Sequence, residues 1–94
     1  MIQIACGHFW LTFKNGYTIS VFNGFGSYSE NQFNTNLRNK FKLDCIDSKD
    51  CEIAVIYNNE FVTNKFIDID NDSVYGFVSS DELVDIIYKV KNID

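Results

Sequence analysis

Alternation of apolar and polar positions dominates the first quarter of the chain. From His8 to Phe22, two β-rich runs flank Asn15-Gly16, a pattern that predicts a β-hairpin. A two-residue loop at Asn15-Gly16 mixes apolar with polar on both faces. A three-residue loop, Lys14-Asn15-Gly16 with Gly16 in the left-handed region, sorts them cleanly. Phe9, Leu11, Phe13, Tyr17, Ile19 and Val21 then share one face, the predicted core. His8, Trp10, Thr12, Thr18, Ser20 and Phe22 share the other, which is polar except for two large aromatics. Upstream, Ile2, Ile4 and Cys6 alternate in the opposite phase, and a bulge or bend at Gly7 is expected to reconcile them.

Past Phe22 the periodicity changes. Asn23 to Ser29 reads as a turn-rich loop, and Ser29-Glu30-Asn31-Gln32 matches a capping box. With Phe33, Leu37 and Phe41 following at four-residue spacing, a middle helix is expected, although Asn34, Asn36 and Asn39 are weak helix formers. Cys51–Tyr57 and Glu60–Thr63 around Asn58-Asn59 predict a second hairpin. Apolar residues at both parities there suit strands in the middle of a sheet. A short strand at Val74–Val78 follows. Ser79-Ser80-Asp81-Glu82 is a second capping box, and Leu83, Ile86, Ile87 and Val90 form one helical stripe. The expected fold is α+β: an antiparallel sheet of about five strands, a middle helix, and a C-terminal helix packed on the Phe9, Leu11, Ile19 and Val21 face.

Ninety-four residues accommodate one domain. A net charge of −5 repels phosphate backbones, and Arg38 is the only arginine, so direct nucleic-acid binding is disfavoured. The same acidity suits a basic protein partner, or simply keeps a small domain soluble. Three cysteines, an odd set, argue against a secreted disulfide scaffold. The opening Met1-Ile2-Gln3-Ile4-Ala5-Cys6 has no charged n-region and is too short to span a membrane, so a cytoplasmic location is expected.

Candidate chemistry is sparse. Cys6, His8, Cys45 and Cys51 lack the short spacings of a zinc set. Asp68, Asp70 and Asp72 resemble the opening of a calcium loop, but Ser73 replaces the turn glycine and Ser79 the closing glutamate. No nucleophile motif accompanies His8, the only imidazole. The expectation is therefore no catalytic residue, no metal and no cofactor. A more informative set is Trp10, Phe22, Phe25 and Tyr28, large aromatics in polar surroundings, which is how interface anchors look. The alternative is that the middle helix covers them through Phe33, Leu37 and Phe41.

The run from Phe13 to Asn31 resembles a group of small uncharacterised proteins of bacteriophages and other mobile elements. Cys51–Ile56 and Val74–Ile87 are similar to the same group. The resemblance implies a setting in which small acidic proteins inhibit host defence, CRISPR effector complexes included. Three functional readings follow. In the first, the chain binds and blocks a basic surface of a defence complex in the host cytoplasm, anchored by Trp10, Phe22, Phe25 and Tyr28 and steered by Asp44, Asp47, Asp50, Asp68, Asp70 and Asp72. In the second it sequesters a signalling nucleotide, using Gly24, Gly26 and Ser27 at a helix start and Trp10 to stack a base. In the third it is a structural or regulatory oligomer. Either a monomer or a small homo-oligomer fits the composition.

Overall fold

The computed structural model describes residues 1–39, 45–70 and 73–93. Among the described residues six antiparallel strands form one sheet: β1 (Ile2–Ala5), β2 (His8–Thr12), β3 (Thr18–Phe22), β4 (Asp50–Tyr57), β5 (Glu60–Phe61) and β6 (Tyr75–Ser79). The order is β1-β2-β3-β4-β5, and β6 also pairs with β4. A single α-helix among the described residues, α1 (Ser80–Lys91), follows β6 directly.

The first predicted hairpin forms in the expected register, with Phe9 opposite Val21 and Leu11 opposite Ile19. Gly16 donates its N–H to Phe13 O at 3.0 Å and adopts φ 89°, the left-handed geometry that a three-residue loop requires. Gly7 does more than bend the chain. With φ 71° it closes a full reversal, and β1 pairs antiparallel with β2, Ile2 opposite Leu11 and Ile4 opposite Phe9. Reversal exchanges even for odd positions, which is why Ile2 and Ile4 look out of phase in sequence yet share the core-side face.

In the second hairpin Asn58 and Asn59 both have positive φ, 52° and 64°, the primed turn that matches strand twist. β5 is short, so β5 and β6 occupy successive stretches of the same edge of β4. Between them Val55 N–H would lack a ladder partner, and the fully buried Thr63 hydroxyl accepts it at 2.9 Å.

The core joins Tyr17, Ile19 and Val21 to Ile53, Val55, Val78, Ile86 and Val90, with Phe9, Leu11, Leu83 and Ile87 packed at its margin. α1 thus lies on the predicted face. Ser79 Oγ accepts Glu82 N–H at 3.2 Å, forming the predicted cap. The other end of α1 is tied across the molecule: Asn15 Nδ2 donates to Val90 O at 2.9 Å and to Ile93 O at 3.1 Å.

Among the described residues the expected middle helix does not form. Residues 23–34 run as successive turns, followed by one 3₁₀ segment, Thr35–Asn39. Ser29 Oγ bonds Ser27 Oγ at 2.7 Å and accepts Asn31 N–H at 3.1 Å, so it closes a local turn where a capping serine would reach three residues on. Asn31, buried, donates to Asn23 O and Asp47 O, fastening the segment as a loop. Phe33 is 82% exposed and packs no helical stripe. Phe41, Asp44 and Asp72 fall outside the described residues.

Candidate functional site

α1 covers one face of the sheet, and the opposite face carries the residues singled out by sequence. Strand alternation places His8, Trp10, Ser20, Phe22 and Glu52 there. The His8 ring stacks on Trp10 at 3.9 Å between centroids and on Phe22 at 4.9 Å. Trp10 and Phe22 are half-buried in this stack. The two alternatives for Trp10, exposed anchor or residue under a middle helix, therefore give way to a third arrangement in which the sheet's own neighbours shelter it. Phe25 lies beneath the Arg38 guanidinium, 4.4 Å from its ring centre, and shares a cleft of about 390 Å³ with Phe22, Leu37 and Cys6.

Tyr28 belongs to a separate cluster that the sequence reading missed. Its N–H donates to Glu52 Oε1 at 3.1 Å, and its carbonyl accepts Phe77 N–H at 2.8 Å. The cause lies in β6, where Cys51 faces Val78 but Ile53 faces Tyr75, so Gly76 and Phe77 together oppose Glu52 in a bulge. Phe77 has φ 54°, a conformation costly for a bulky residue. Gly76 is obligatory, because a Cβ there would stand 2.6 Å from Tyr28 Cβ. Tyr28 is 46% exposed and Phe77 58%. A glycine inside a strand pattern was the available signal for this bulge.

Carboxylates border the Tyr28 side of this cluster, beginning with Glu52. Asp50 Oδ1 accepts Glu30 N–H at 2.7 Å, and Glu30 Oε2 accepts Lys49 N–H. Asp47 is exposed nearby in sequence, its carbonyl held by Asn31. Asp68 and Asp70 are exposed on the link between the Thr63–Lys65 turn and β6. Asp50 thus joins the Tyr28 cluster, while Trp10, Phe22 and Phe25 form a neighbouring patch on the same side of the sheet.

Other chemistry finds little support in the geometry. His8 Nε2 lies 2.6 Å from Ser20 Oγ, a serine–histidine contact, and burial lowers the His8 pKa. Ser20, however, is buried in the centre of a strand paired on both sides, where no pair of N–H groups is spare to stabilise an oxyanion. Burial, reinforced by Asp50, Glu52 and Glu82, pushes the Cys51 thiol up to about 11, opposite to the direction that activates a nucleophile. Among the described residues no three His, Cys, Asp or Glu side chains are grouped to hold a metal ion, and no helix is long and apolar enough to cross a membrane. The loop proposed for nucleotide binding has turned its donors inward. Gly26 N–H donates to Gln32 O, and Ser27 gives both N–H and Oγ–H to Gly24 O.

Neither the protein-family models, the curated proteins nor the solved structures contain a match to this chain.

Proposed function

We propose that this chain is a non-enzymatic protein-binding module that docks on a basic surface of a bacterial defence complex in the host cytoplasm and blocks it, without a cofactor. The observation that carries the reading is the Tyr28–Phe77 pair: two adjacent exposed aromatics, one held at positive φ by the bulge, set beside Glu52, Glu30 and Asp50. Strain of this kind persists where surrounding structure enforces it, and exposed aromatics rimmed by charge fit the anatomy of an interface. The excess of carboxylates favours a basic partner through steering. The defence setting rests on the resemblance of residues 13–31, 51–56 and 74–87 to phage and mobile-element proteins. The patch of Trp10, Phe22 and Phe25 adjoins the pair and extends the same surface.

Affinity capture from a CRISPR-bearing or other defence-bearing host lysate tests this reading when run beside the Phe77→Ala variant. A basic partner is expected with the unaltered chain, and a loss of about 2 kcal/mol or more of binding, roughly thirtyfold, with Phe77→Ala. Because Phe77 is exposed and alanine keeps the same backbone geometry, the variant should fold within about 0.5 kcal/mol of the parent. Recovery of no partner, or a partner indifferent to Phe77, sinks the proposal.

A further inference from the structure

Among the described residues β1 ends the sheet, with β2 on its inner side. Met1 N donates to Thr12 O at 3.0 Å and Thr12 N–H to Met1 O at 2.9 Å, so these two residues form a hydrogen-bonded pair. Alternation along an antiparallel ladder then turns the N–H and C=O groups of Gln3 and Ala5 toward β2, and those of Ile2 and Ile4 outward. The Ile2 and Ile4 side chains lie on the core-side face, 70% and 78% exposed. Residues 2–5 contain no charge and no proline, the devices that ordinarily blunt an edge strand.

We infer that this edge pairs with a second copy of the chain, antiparallel about a two-fold axis through Gln3. The register is self-complementary: Ile2 faces Ile4 of the second copy, Gln3 faces Gln3, and Ile4 faces Ile2. Both isoleucines in each copy present outward backbone groups, so four inter-chain hydrogen bonds form, and the four isoleucine side chains gather beside Phe9 and Leu11. Charge selects the same edge. Each chain carries −5 overall, yet β1 carries none, so two copies meet there with least repulsion. The Tyr28–Phe77 surface lies toward the β4–β6 side of the sheet and stays open in such a dimer. An interface this small belongs at the weak end of specific association.

Sedimentation equilibrium of the whole chain tests the inference. The mass is expected to rise from 10.9 kDa toward twice that value as concentration approaches about 1 mM. The variants Ile2→Lys with Ile4→Lys, and Ile2→Glu with Ile4→Glu, should each remain monomeric, and mixing them should restore a heterodimer. Amide exchange at Ile2 and Ile4 of the unaltered chain should slow at least about tenfold between dilute and concentrated samples, a measurement that needs no variant. A chain that stays monomeric, a dimer that survives the lysine pair, or amides at Ile2 and Ile4 that stay unprotected when concentrated would each overturn it.

Discussion

Two four-residue segments in this chain carry the same helix-start motif and fold differently. Ser79-Ser80-Asp81-Glu82 opens α1, whereas Ser29-Glu30-Asn31-Gln32 lies in a string of turns. Behind the first stand Ile86 and Val90, both buried in the core, with the chain's C-terminal carbonyls held by Asn15. Behind the second stands Phe33, facing solvent, and ahead of it Ser27, whose hydroxyl competes for Ser29. A cap selects where a helix begins only when an apolar stripe gives that helix something to bury. Without the stripe, short polar side chains bond their own backbone and a loop results.

The largest test of this contrast removes the stripe. Ile86→Ala should lower stability by about 2 to 5 kcal/mol, since it opens a cavity in the core, while Phe33→Ala should stay within about 0.5 kcal/mol of the parent in the same denaturant titration. Equal losses would mean that the loop is packed as firmly as the helix.

Comparing the two serines sharpens it further. Ser79→Ala should cost about 1 kcal/mol and reduce helical ellipticity as the first turn frays. Ser29→Ala should cost a similar amount, because it leaves Asn31 N–H without its acceptor and removes one of the two bonds of the Ser27 hydroxyl, yet leave the helical signal unchanged. A fall in ellipticity with Ser29→Ala would show a helix in residues 29–39 after all.

The smallest effect comes from the side of the sheet that the loop borders, where Asn23 N–H donates to Gly7 O beside His8. Burial holds the His8 pKa below its ordinary 6.5, so the unfolded chain takes up a proton more readily than the folded one. Its share of stability is complete above pH 6.5, falls as the pH drops through 6.5 toward the lowered value, and levels off below it. Thermal midpoints measured across that window should fall in the parent and less steeply in His8→Phe. Identical profiles would place the acid sensitivity elsewhere.

Features set by short-range rules were legible in the sequence. Asn15-Gly16 and Asn58-Asn59 determine turn geometry, and turn geometry determines register, so both hairpins and the facing of Trp10 and Phe22 followed. The stripe from Leu83 to Val90 did the same for α1. What stayed hidden depends on partners remote in the chain. Asn31 holds its loop through Asn23 and Asp47, and no local pattern announces those carbonyls. Tyr28 acquires its role only when a bulge in β6 turns Phe77 N–H toward it and Glu52 arrives from β4. Nor did alternation alone reveal that β1 reverses on Gly7. A half-turn of the chain and a one-residue bulge shift parity alike, so the pattern admits both.

Asn15 also governs how the molecule ages. An asparagine followed by glycine is prone to lose ammonia when the glycine nitrogen attacks the side-chain carbonyl carbon, giving a succinimide that water opens to aspartate or isoaspartate. In the folded chain that nitrogen holds its hydrogen on Phe13 O, and the side-chain amide is fastened to the end of α1. Both contacts slow chemical damage at Asn15, and its product, a carboxylate facing helix-terminal carbonyls, weakens the hold on the last turn of α1. The dipeptide that nucleates the first hairpin thus acts as a clock that its own turn and the last turn of α1 both slow.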